Sequence, residues 1–482
     1  MLTWNQLRLK FFYPGRCKIA LTVASILHII LSAGANSADV IRYHSSQSSP
    51  LISQEVSNLT SPFILPQRDR ADLLGERIAV GTTWYDYQSN GTLTKLIAVD
   101  DDGGVHIVWT NGLNNDWAQG ERHTFYNYVV DGEPQFDDGV AVDNLPRGGF
   151  CNIAYSPIWG AVPFFHATVD GAIWTHFAID EELGRGEFTL VRPPRLEDGN
   201  EYIWPRGTVD RQGRVHVIAR MRNDPGTPVN LEYVRAVFNE EDEEWQFTQP
   251  RNIRPMKGLA YAVVASPVSD KVAIIFPAPA YPEGENARWN GAVNEPAANN
   301  NLLVYESPNG EDFPWNQPLN ATRVLRPNPN ADRNSPFYQG DTLRPYMFVD
   351  GCYDYEDNLH IVFSSIVLWE QVDPNANPGY VAGRYDEKRN FVWHWDRESD
   401  EISLVASGRY DTDGTVGPWR QNISFPSIGV DEDNRLYCVF TMYPTRGDRA
   451  ANGNVSGEIY ATVSVDGGKT WSVTVNLTDT HS

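Results

Sequence analysis

The chain has 482 residues, of which 62 are Asp or Glu and 39 are Lys or Arg, so its formal net charge is −23. This balance argues against a nucleic-acid partner, because phosphate binding depends on clustered Lys and Arg. Aromatic residues make up 12% of the chain, and Gly and Pro occur throughout it. Such a composition favours many short strands joined by tight turns.

The first 35 residues have the layout of a secretory signal peptide. Basic residues precede an apolar run at 19–31, and small residues at 33–35 suit cleavage. The alternative is an uncleaved membrane anchor, but a spanning helix needs roughly 20 apolar residues, more than this run supplies. We therefore expect a secreted or periplasmic protein with no membrane span after signal removal. Residues 36–77, rich in Ser, Asn and Gln, are predicted to form a flexible lead-in.

One hairpin pattern, a strand, a turn and a second strand, recurs from residue 97 onward. Clear copies lie at 97–109, 207–218, 348–363 and 428–440, and weaker copies lie at 152–155 and 262–265. In chain order, the first four copies, clear and weak together, begin near residues 97, 152, 207 and 262, about 55 residues apart. A third run of alternating residues usually follows each copy. Four antiparallel strands per repeat are typical of a propeller blade. We predict an all-β fold, a β-propeller over residues 78–482 with six recognisable blades; a β-sandwich would not repeat one hairpin at this period.

Residues 77–87 have the pattern of an additional strand before the first repeat. The last repeat already has an outer strand at 472–477, so the early strand has no obvious blade to complete. One hypothesis is a truncated sequence that lacks a seventh blade and leaves an unpaired sheet edge. The other is a closed six-bladed ring in which residues 78–87 pair with the final blade.

Residues 464–471 match a known turn motif, the Asp box Ser-x-Asp-x-Gly-x-Thr-Trp, and residues 307–315 are a degenerate copy. By this motif and the blade pattern, the chain resembles the sialidase-like (BNR, Asp-box) β-propeller superfamily, which includes hydrolases, lyases and binding proteins. The Arg-Ile-Pro motif of true sialidases is not found, since residues 63–66 lack the Arg. An Asp side chain in such a turn bonds its own backbone amides, so the motif is predicted to be structural. Its residues are Ser464, Asp466, Gly468, Thr470 and Trp471.

The two faces of the predicted propeller differ in their loops. If the first strand of each blade runs down the central channel, the short turns lie on one face. The long connections, at 110–122, 279–301, 326–343, 370–379, 397–424 and 444–456, lie on the other, which we call the long-loop face. Loops on a rigid scaffold commonly carry function, so the long-loop face is the candidate binding face.

Arginine and aromatic residues stand where the chain enters several first strands. Arg147, Arg206 and Arg344 lie beside prolines at three such entries, and similar positions hold Trp204, Tyr346, Trp419 and Arg420. Guanidinium groups around one axis would bind carboxylate or sulfate, and aromatic faces beside them would suit sugar rings. The alternative is that each Arg pairs with a neighbouring Asp or Glu.

Three other patterns have structural interpretations. His106, His216 and His360 occupy one slot of the repeat, with Tyr437 in that slot of another copy, which favours a repeated packing or hydrogen-bonding role over a metal site. Residues 411–414 resemble the start of a calcium loop but lack its later Glu, so the support for calcium is weak and no cofactor is expected. Cys151, Cys352 and Cys438 are read as mostly buried thiols, although one pair could be bridged outside the cell.

Two functions remain after this reading. One is a glycan-active enzyme, either a glycoside hydrolase or a polysaccharide lyase; the other is a non-catalytic propeller that binds an extracellular glycan or a protein. We expect recognition of a probably anionic extracellular glycan, with catalysis undecided. Two carboxylates about 5 to 9 Å apart at the channel mouth would favour hydrolysis, whereas arginine and aromatic residues alone would favour binding. The sequence determines neither the glycan nor the oligomeric state.

Overall fold

The computed structural model describes residues 42–44, 77–85, 87–88, 95–114, 116, 120–195, 200–222, 229–256, 260–279, 300–324, 344–372, 381–409, 421–443 and 457–478. Its regular structure is entirely β, which confirms the predicted fold class. This part of the chain contains no helix with the length and hydrophobicity to cross a membrane. The expectations for residues 1–35 and 411–414 lie outside the described residues.

The strands form six antiparallel sheets, blades I to VI, arranged in a ring. Blade I contains β2 (Ile97–Val99), β3 (Val105–Gly112), β4 (Arg122–Val130), β5 (Glu133–Pro134) and β6 (Val140–Ala141). Blade II contains β7 (Gly149–Ser156), β8 (Gly160–Val169), β9 (Ala172–Asp180) and β10 (Phe188–Val191). Blade III contains β11 (Tyr202–Val209), β12 (Val215–Met221), β13 (Val229–Asn239), β14 (Glu244–Phe247) and β15 (Arg251–Met256).

The remaining blades follow the same order. Blade IV contains β16 (Ala262–Ala265), β17 (Val272–Pro279), β18 (Asn300–Ser307) and β19 (Leu319–Asn320). Blade V contains β20 (Pro345–Tyr353), β21 (Leu359–Val372), β22 (Val381–Asp396) and β23 (Glu401–Arg409), with β1 (Arg42–His44) paired to β23. Blade VI contains β24 (Ile423–Val430), β25 (Leu436–Met442), β26 (Glu458–Ser464) and β27 (Val475–Asn476). The predicted first strands are all present, and three residues of the predicted lead-in form β1.

Apolar side chains between neighbouring sheets form the core. Five buried clusters join blade I to II, II to III, III to IV, IV to V and V to VI. Strand alternation makes this possible, because successive side chains point to opposite faces and each sheet can therefore pack against two neighbours. The three cysteines named above are buried free thiols within these interfaces.

Blades I and VI each expose apolar residues on the face that does not belong to these five clusters. In blade I, Ile97 and Val99 are each 57% exposed; in blade VI, Val439 and Ile459 are 36% and 42% exposed. Their neighbours on the opposite face are less exposed, half-buried at Ala98 in blade I and buried at Cys438 and Phe440 in blade VI, as expected from strand alternation. These two faces are thus less covered than the five packed interfaces.

The expectation of a strand at 77–87 is wrong for the described residues of this segment. The segment has no strand pairing and runs along blade I, where the Asn127 side-chain amide donates to the Val80 carbonyl at 2.6 Å and the Trp109 indole donates to the Thr82 carbonyl at 3.1 Å. These side-chain bonds, with a backbone bond from the Trp84 N–H to the Gly112 carbonyl at 3.0 Å, take the place of a strand ladder. The pairing of residues 78–87 with the final blade is therefore also wrong.

The predicted hydrogen-bonding role of the repeated histidine slot is confirmed, and blade III shows it most fully. One carboxylate oxygen of Asp210 accepts the backbone N–H groups of Gln212 and Arg214, which closes the first turn of the blade. The other oxygen lies 2.9 Å from His216 Nε2, and the Tyr233 hydroxyl lies 2.8 Å from His216 Nδ1. The buried imidazole thus ties the turn to the third strand.

The same device recurs with small changes in other blades. Equivalent groups are Asp100, His106 and Tyr126 in blade I and Asp354, His360 and His394 in blade V. In blade I the His106 Nε2 lies 3.5 Å from Asp100 without a hydrogen bond, and the Tyr128 hydroxyl donates to that carboxylate at 2.6 Å. In blade VI the Tyr437 hydroxyl donates directly to Asp431 at 2.9 Å. Because these residues repeat with the blade, their role is in the fold.

The Asp-box turn has the hydrogen bonds expected of a structural motif. Asp466 accepts the Thr470 backbone N–H at 2.9 Å and the Thr470 hydroxyl at 2.7 Å, while the Ser464 hydroxyl accepts the Gly468 N–H at 2.8 Å. Trp471 is buried, and its indole donates to Ser403 of blade V at 3.2 Å. The turn therefore orders itself and fastens blade VI to blade V.

Substitutions in β25 will test the difference between its two faces. Val439→Ser should change the free energy of unfolding by less than about 0.5 kcal/mol, because Val439 is partly exposed. Phe440→Ala should lower it by roughly 3 to 5 kcal/mol, because Phe440 is buried in the cluster with blade V. Denaturant unfolding measures both; equal costs would show that Val439 is covered in solution.

The buried histidines should make the protein less stable in acid. Burial lowers the pKa of His106 and of His176 to about 4. Between pH 6.5 and 4 these histidines are protonated in the unfolded chain but remain neutral in the folded protein. Protonation therefore stabilises the unfolded chain, and the free energy of unfolding should fall by roughly 1 kcal/mol per pH unit for each histidine. Burial raises the pKa of Asp180 to about 6, and this group offsets part of the loss between about pH 4 and 6.

Denaturant unfolding at pH 7, 6, 5 and 4 measures this dependence. His106→Gln should flatten the slope, since the glutamine does not titrate. A stability that rises on acidification would contradict the assignment.

Candidate functional site

The first strands of four blades bend at the long-loop face. Their pairing with the second strand shifts register between Gly149 and Asn152, Ile203 and Arg206, Pro345 and Val349, and Ser424 and Ser427. Such bulges redirect side chains. Three aromatic residues within them have left-handed backbones, with φ of 52° at Phe150, 52° at Trp204 and 53° at Phe425. This conformation is uncommon for bulky side chains and persists only where the surrounding structure holds it.

Phe150 is the centre of a group of stacked side chains. The Arg122 guanidinium lies 4.8 Å from the Phe150 ring centroid and 5.0 Å from that of Tyr85. The imidazole of His166 stacks on Phe150 at 5.3 Å, and the edge of Trp204 approaches it at 6.4 Å. Arg122, Phe150 and His166 are each at least nine-tenths buried, so they form the floor of this region.

The group continues into blades III and IV through Trp204. Its backbone carbonyl accepts the Tyr261 hydroxyl at 2.6 Å and an Arg206 guanidinium N–H at 3.2 Å. The Arg220 guanidinium lies 5.3 Å from the Trp204 ring centroid, and that of Arg206 lies 5.3 Å from the Tyr261 ring. The first and second strands of blade III thus bring two more guanidinium groups beside the same aromatic side chains.

Arg147 lies at the edge of the same region and remains half-buried. It donates to the Gly120 carbonyl at 3.0 Å. Burial lowers the pKa of Arg122, Tyr85 acts against that shift, and the positive charge of Arg147 lowers the pKa further. Two cations that influence each other in this way form a positive field.

We call this set the arginine–aromatic cluster. Its members are Tyr85, Tyr87, Arg122, Arg147, Phe150, His166, Trp204, Arg206, Arg220 and Tyr261. Within the part of the chain that the structure describes, Arg122, Arg147 and Arg220 form no ion pair with a carboxylate, and Arg122 feels the charge of Asp143 only from beyond contact distance. Cations without an ion pair are notable in a chain with 62 acidic residues, where the exposed Arg185 pairs with both Glu182 and Glu187.

His166 is electrically neutral and has a defined tautomer. Burial and the positive charges of Arg122 and Arg206 hold its pKa well below 6.5. Its Nδ1 accepts the Trp204 backbone N–H at 3.0 Å, so the proton of the neutral ring lies on Nε2. His166 therefore offers a hydrogen-bond donor at Nε2 and no basic nitrogen there.

The described carboxylate nearest to the floor is already engaged. Asp143 accepts the backbone N–H of Thr124 at 2.7 Å and that of Leu145 at 3.1 Å, and it lies 3.1 Å from His123 Nδ1. Hydrogen bonding to Asp143 raises the pKa of His123 to about 8. The described cluster thus contains arginine, aromatic and histidine side chains without a free carboxylate pair. No group of three or more metal-ligating side chains occurs among the described residues.

The structure brings together only some of the residues predicted from the sequence. Arg147, Arg206 and Trp204 belong to the cluster, but Arg206 is buried and bonds the carbonyls of Trp204 and Pro205. Arg344 is fully buried at the start of blade V, and Tyr346 is buried beside it. Trp419 and Arg420 lie outside the described residues.

Sequence reasoning missed Arg122, Phe150, His166, Arg220 and Tyr261. His166 lies near the long-loop end of β8, whereas the repeated histidines lie near the opposite end of their second strands. Its position outside the repeat slot is a signal that could have separated it from them. The bulge at Phe150 depends on tertiary contacts and left no such signal.

Comparisons with known proteins give similarity of fold only. No protein-family model and no curated protein matches the chain. Among solved structures, a polysaccharide lyase of family PL25, an ulvan lyase bound to -[GlcA(1-4)Rha3S]-, aligns at 10% identity over 82% of this chain and 85% of its own, with a TM-score of 0.45. A Dyadobacter fermentans protein of unknown function aligns at 9% identity over 80% and 96%, with a TM-score of 0.41. A subtype N11 neuraminidase-like protein of A/flat-faced bat/Peru (H18N11) aligns at 10% identity over 81% and 92%, with a TM-score of 0.37.

Removal of one charge should be measurable at His166. Arg122→Ala should raise the pKa of His166 towards 6.5, because a nearby positive charge disfavours the imidazolium form. Burial remains, so the pKa should stay below 6.5. NMR titration of the histidine ring protons measures the shift. Arg222→Ala is the control with a smaller expected shift, since Arg222 is paired with Glu201; an unchanged or lowered pKa in Arg122→Ala would contradict this electrostatic description.

Proposed function

We propose that the arginine–aromatic cluster binds the anionic groups of an extracellular glycan, with carboxylate or sulfate as the recognised chemistry. The observation that carries this proposal is the absence of carboxylate partners for Arg122, Arg147 and Arg220 among the described residues of a strongly acidic chain. Arg147 and Arg220 are half-buried, so part of each side chain remains accessible. A guanidinium fork matches carboxylate and sulfate geometry, so an external anion can supply the missing partner.

Aromatic residues at the rim favour a sugar as the carrier of that anion. Trp204 is half-buried and Tyr87 is 50% exposed, beside the buried Phe150. Their rings offer apolar faces next to charged hydrogen-bond donors, and ligand sites commonly combine the two. A small inorganic anion would use the arginines alone, whereas a charged sugar would use both.

The location of this activity follows from the N-terminal segment. We propose that residues 1–35 direct export, so that the propeller acts outside the cytoplasm or in the periplasm. The net negative charge of the protein would then repel most polyanions, and the arginine–aromatic cluster would attract the anionic groups of the glycan locally.

The described geometry favours recognition over hydrolysis. Hydrolases typically place two carboxylates on either side of the scissile bond. The described carboxylates whose charges act on the cluster arginines, Asp143 and Asp350, are used in hydrogen bonds within the protein. A non-catalytic propeller with a protein partner is the competing function. It would not need arginines arranged for a carboxylate or sulfate.

The cluster arginines should determine affinity for anionic polysaccharides. Purified protein should retain uronate-containing or sulfated polysaccharides and not neutral ones, and Arg147→Ala and Arg122→Ala should each weaken binding about tenfold. Each lost charge-assisted hydrogen bond costs roughly 1.5 to 3 kcal/mol, and 1.4 kcal/mol is a factor of ten. Binding is measured by calorimetry, and cleavage is followed in the same samples by chromatography of the products.

Two control variants separate affinity from folding. Arg185→Ala removes an exposed arginine in the turn between β9 and β10, on the short-turn face, and should leave affinity unchanged. Asp466→Ala should lower the melting temperature and leave the intrinsic affinity of the folded protein unchanged. Equal binding of all polysaccharides by the parent and the Arg variants would reject the proposed ligand class. Retention of a protein partner in its place would support the competing function.

A further inference from the structure

A second cleft, with a lining more apolar than polar, opens between blades II and III. Its enclosed space is about 20 Å³, and its lining includes Trp174, Pro193, Pro194, Arg195, Tyr202 and Glu232. Its residues come from the start of β9, the segment after β10, the start of β11, the end of β12 and the start of β13. All these ends lie on the long-loop face, the face that also carries the arginine–aromatic cluster.

Two arginines stack on one indole at this cleft. The guanidinium carbon of Arg195 lies 3.5 Å from the Trp174 ring centroid, and that of Arg192 lies 4.6 Å from it. A guanidinium group that stacks through its face keeps its N–H donors at the edge, where an anion can accept them. The indole therefore holds two cationic forks in place.

These arginines lack the partners found at nearby arginines. Arg195 donates to the Asn200 carbonyl at 2.7 Å, and its Nε is shielded from solvent without a hydrogen-bond partner. Neither Arg192 nor Arg195 forms an ion pair within the described residues, whereas Arg222 of the next blade pairs with Glu201 at 2.7 Å. Arg192 is exposed and Arg195 is half-buried, so an external anion can pair with their guanidinium groups.

The cleft and the cluster are continuous along the protein. Tyr202 lines the cleft and Trp204, two residues further along β11, belongs to the cluster. Two residues of strand span at most about 7 Å, so one polymer chain can lie across both regions.

We propose that the cleft at Trp174, Arg192 and Arg195 is an outer subsite that binds a further acidic sugar unit of a glycan held at the arginine–aromatic cluster. The subsite rests on the proposed function. Its arginines bind the carboxylate or sulfate of that unit. The subsite makes affinity depend on chain length.

The test compares binding of size-defined chondroitin sulfate oligosaccharides, from disaccharide to octasaccharide, to the full chain. These probes carry both carboxylate and sulfate groups. Affinity should rise with length until both regions are filled. Arg195→Ala and Arg192→Ala should each weaken binding of the longest probe about tenfold and change disaccharide binding less than twofold, while Arg122→Ala should weaken both.

Three outcomes distinguish the proposals from each other. If Arg122→Ala weakens every length and the cleft variants weaken none, the outer subsite is wrong and the proposed function stands. If the cleft variants weaken the disaccharide as strongly as the octasaccharide, the cleft is the primary site and its outer role is wrong. If the parent binds no length, both proposals fail for this ligand class. Arg192 is exposed, so Arg192→Ala keeps the test valid if Arg195→Ala unfolds, which thermal melting shows.

Discussion

Each sheet of this protein has two apolar faces, and a single blade has nothing of its own to cover them. Burial against the next blade is therefore the constraint on which the rest depends, and the five packed interfaces supply it. The polar parts of the repeat serve the same packing. Trp471 reaches from an Asp-box turn into the neighbouring blade, and His216 ties a turn to a third strand inside its own blade. These hydrogen bonds hold the turns from which the side chains between the blades project.

The short-turn face and the long-loop face differ in how their charged side chains are paired. On the short-turn face, buried carboxylates such as Asp210 are used fully by turn amides, a histidine and an arginine. On the long-loop face, Arg122 and Arg147 have no such carboxylate partner in the described chain. Satisfied polar groups stabilise a fold, whereas groups held in place without a partner are available to a ligand. The contrast within one molecule is the physical basis for assigning function to the long-loop face.

Backbone strain at the bulges contributes to this arrangement. Phe150 and Trp204 hold left-handed conformations at equivalent places in adjacent blades, and their rings meet Arg122, His166 and Arg220. The cost of the strain is met by packing from both blades. In return, the rings and cations are fixed before any ligand arrives, which lowers the ordering cost of binding.

The sequence by itself determined the all-β propeller, the starts of the blades and the structural role of His106, His216 and His360, because these features depend on local alternation and on a repeat. It also placed Arg147, Arg206 and Trp204 at strand entries on one face. Only the tertiary structure decided that Arg344 is buried away from solvent, that residues 77–85 lie on blade I, and that Arg122, His166 and Arg220 join the cluster. These outcomes arise from contacts between residues far apart in the chain and from bulges that turn side chains without changing the strand pattern, and neither leaves a periodic signal in the sequence.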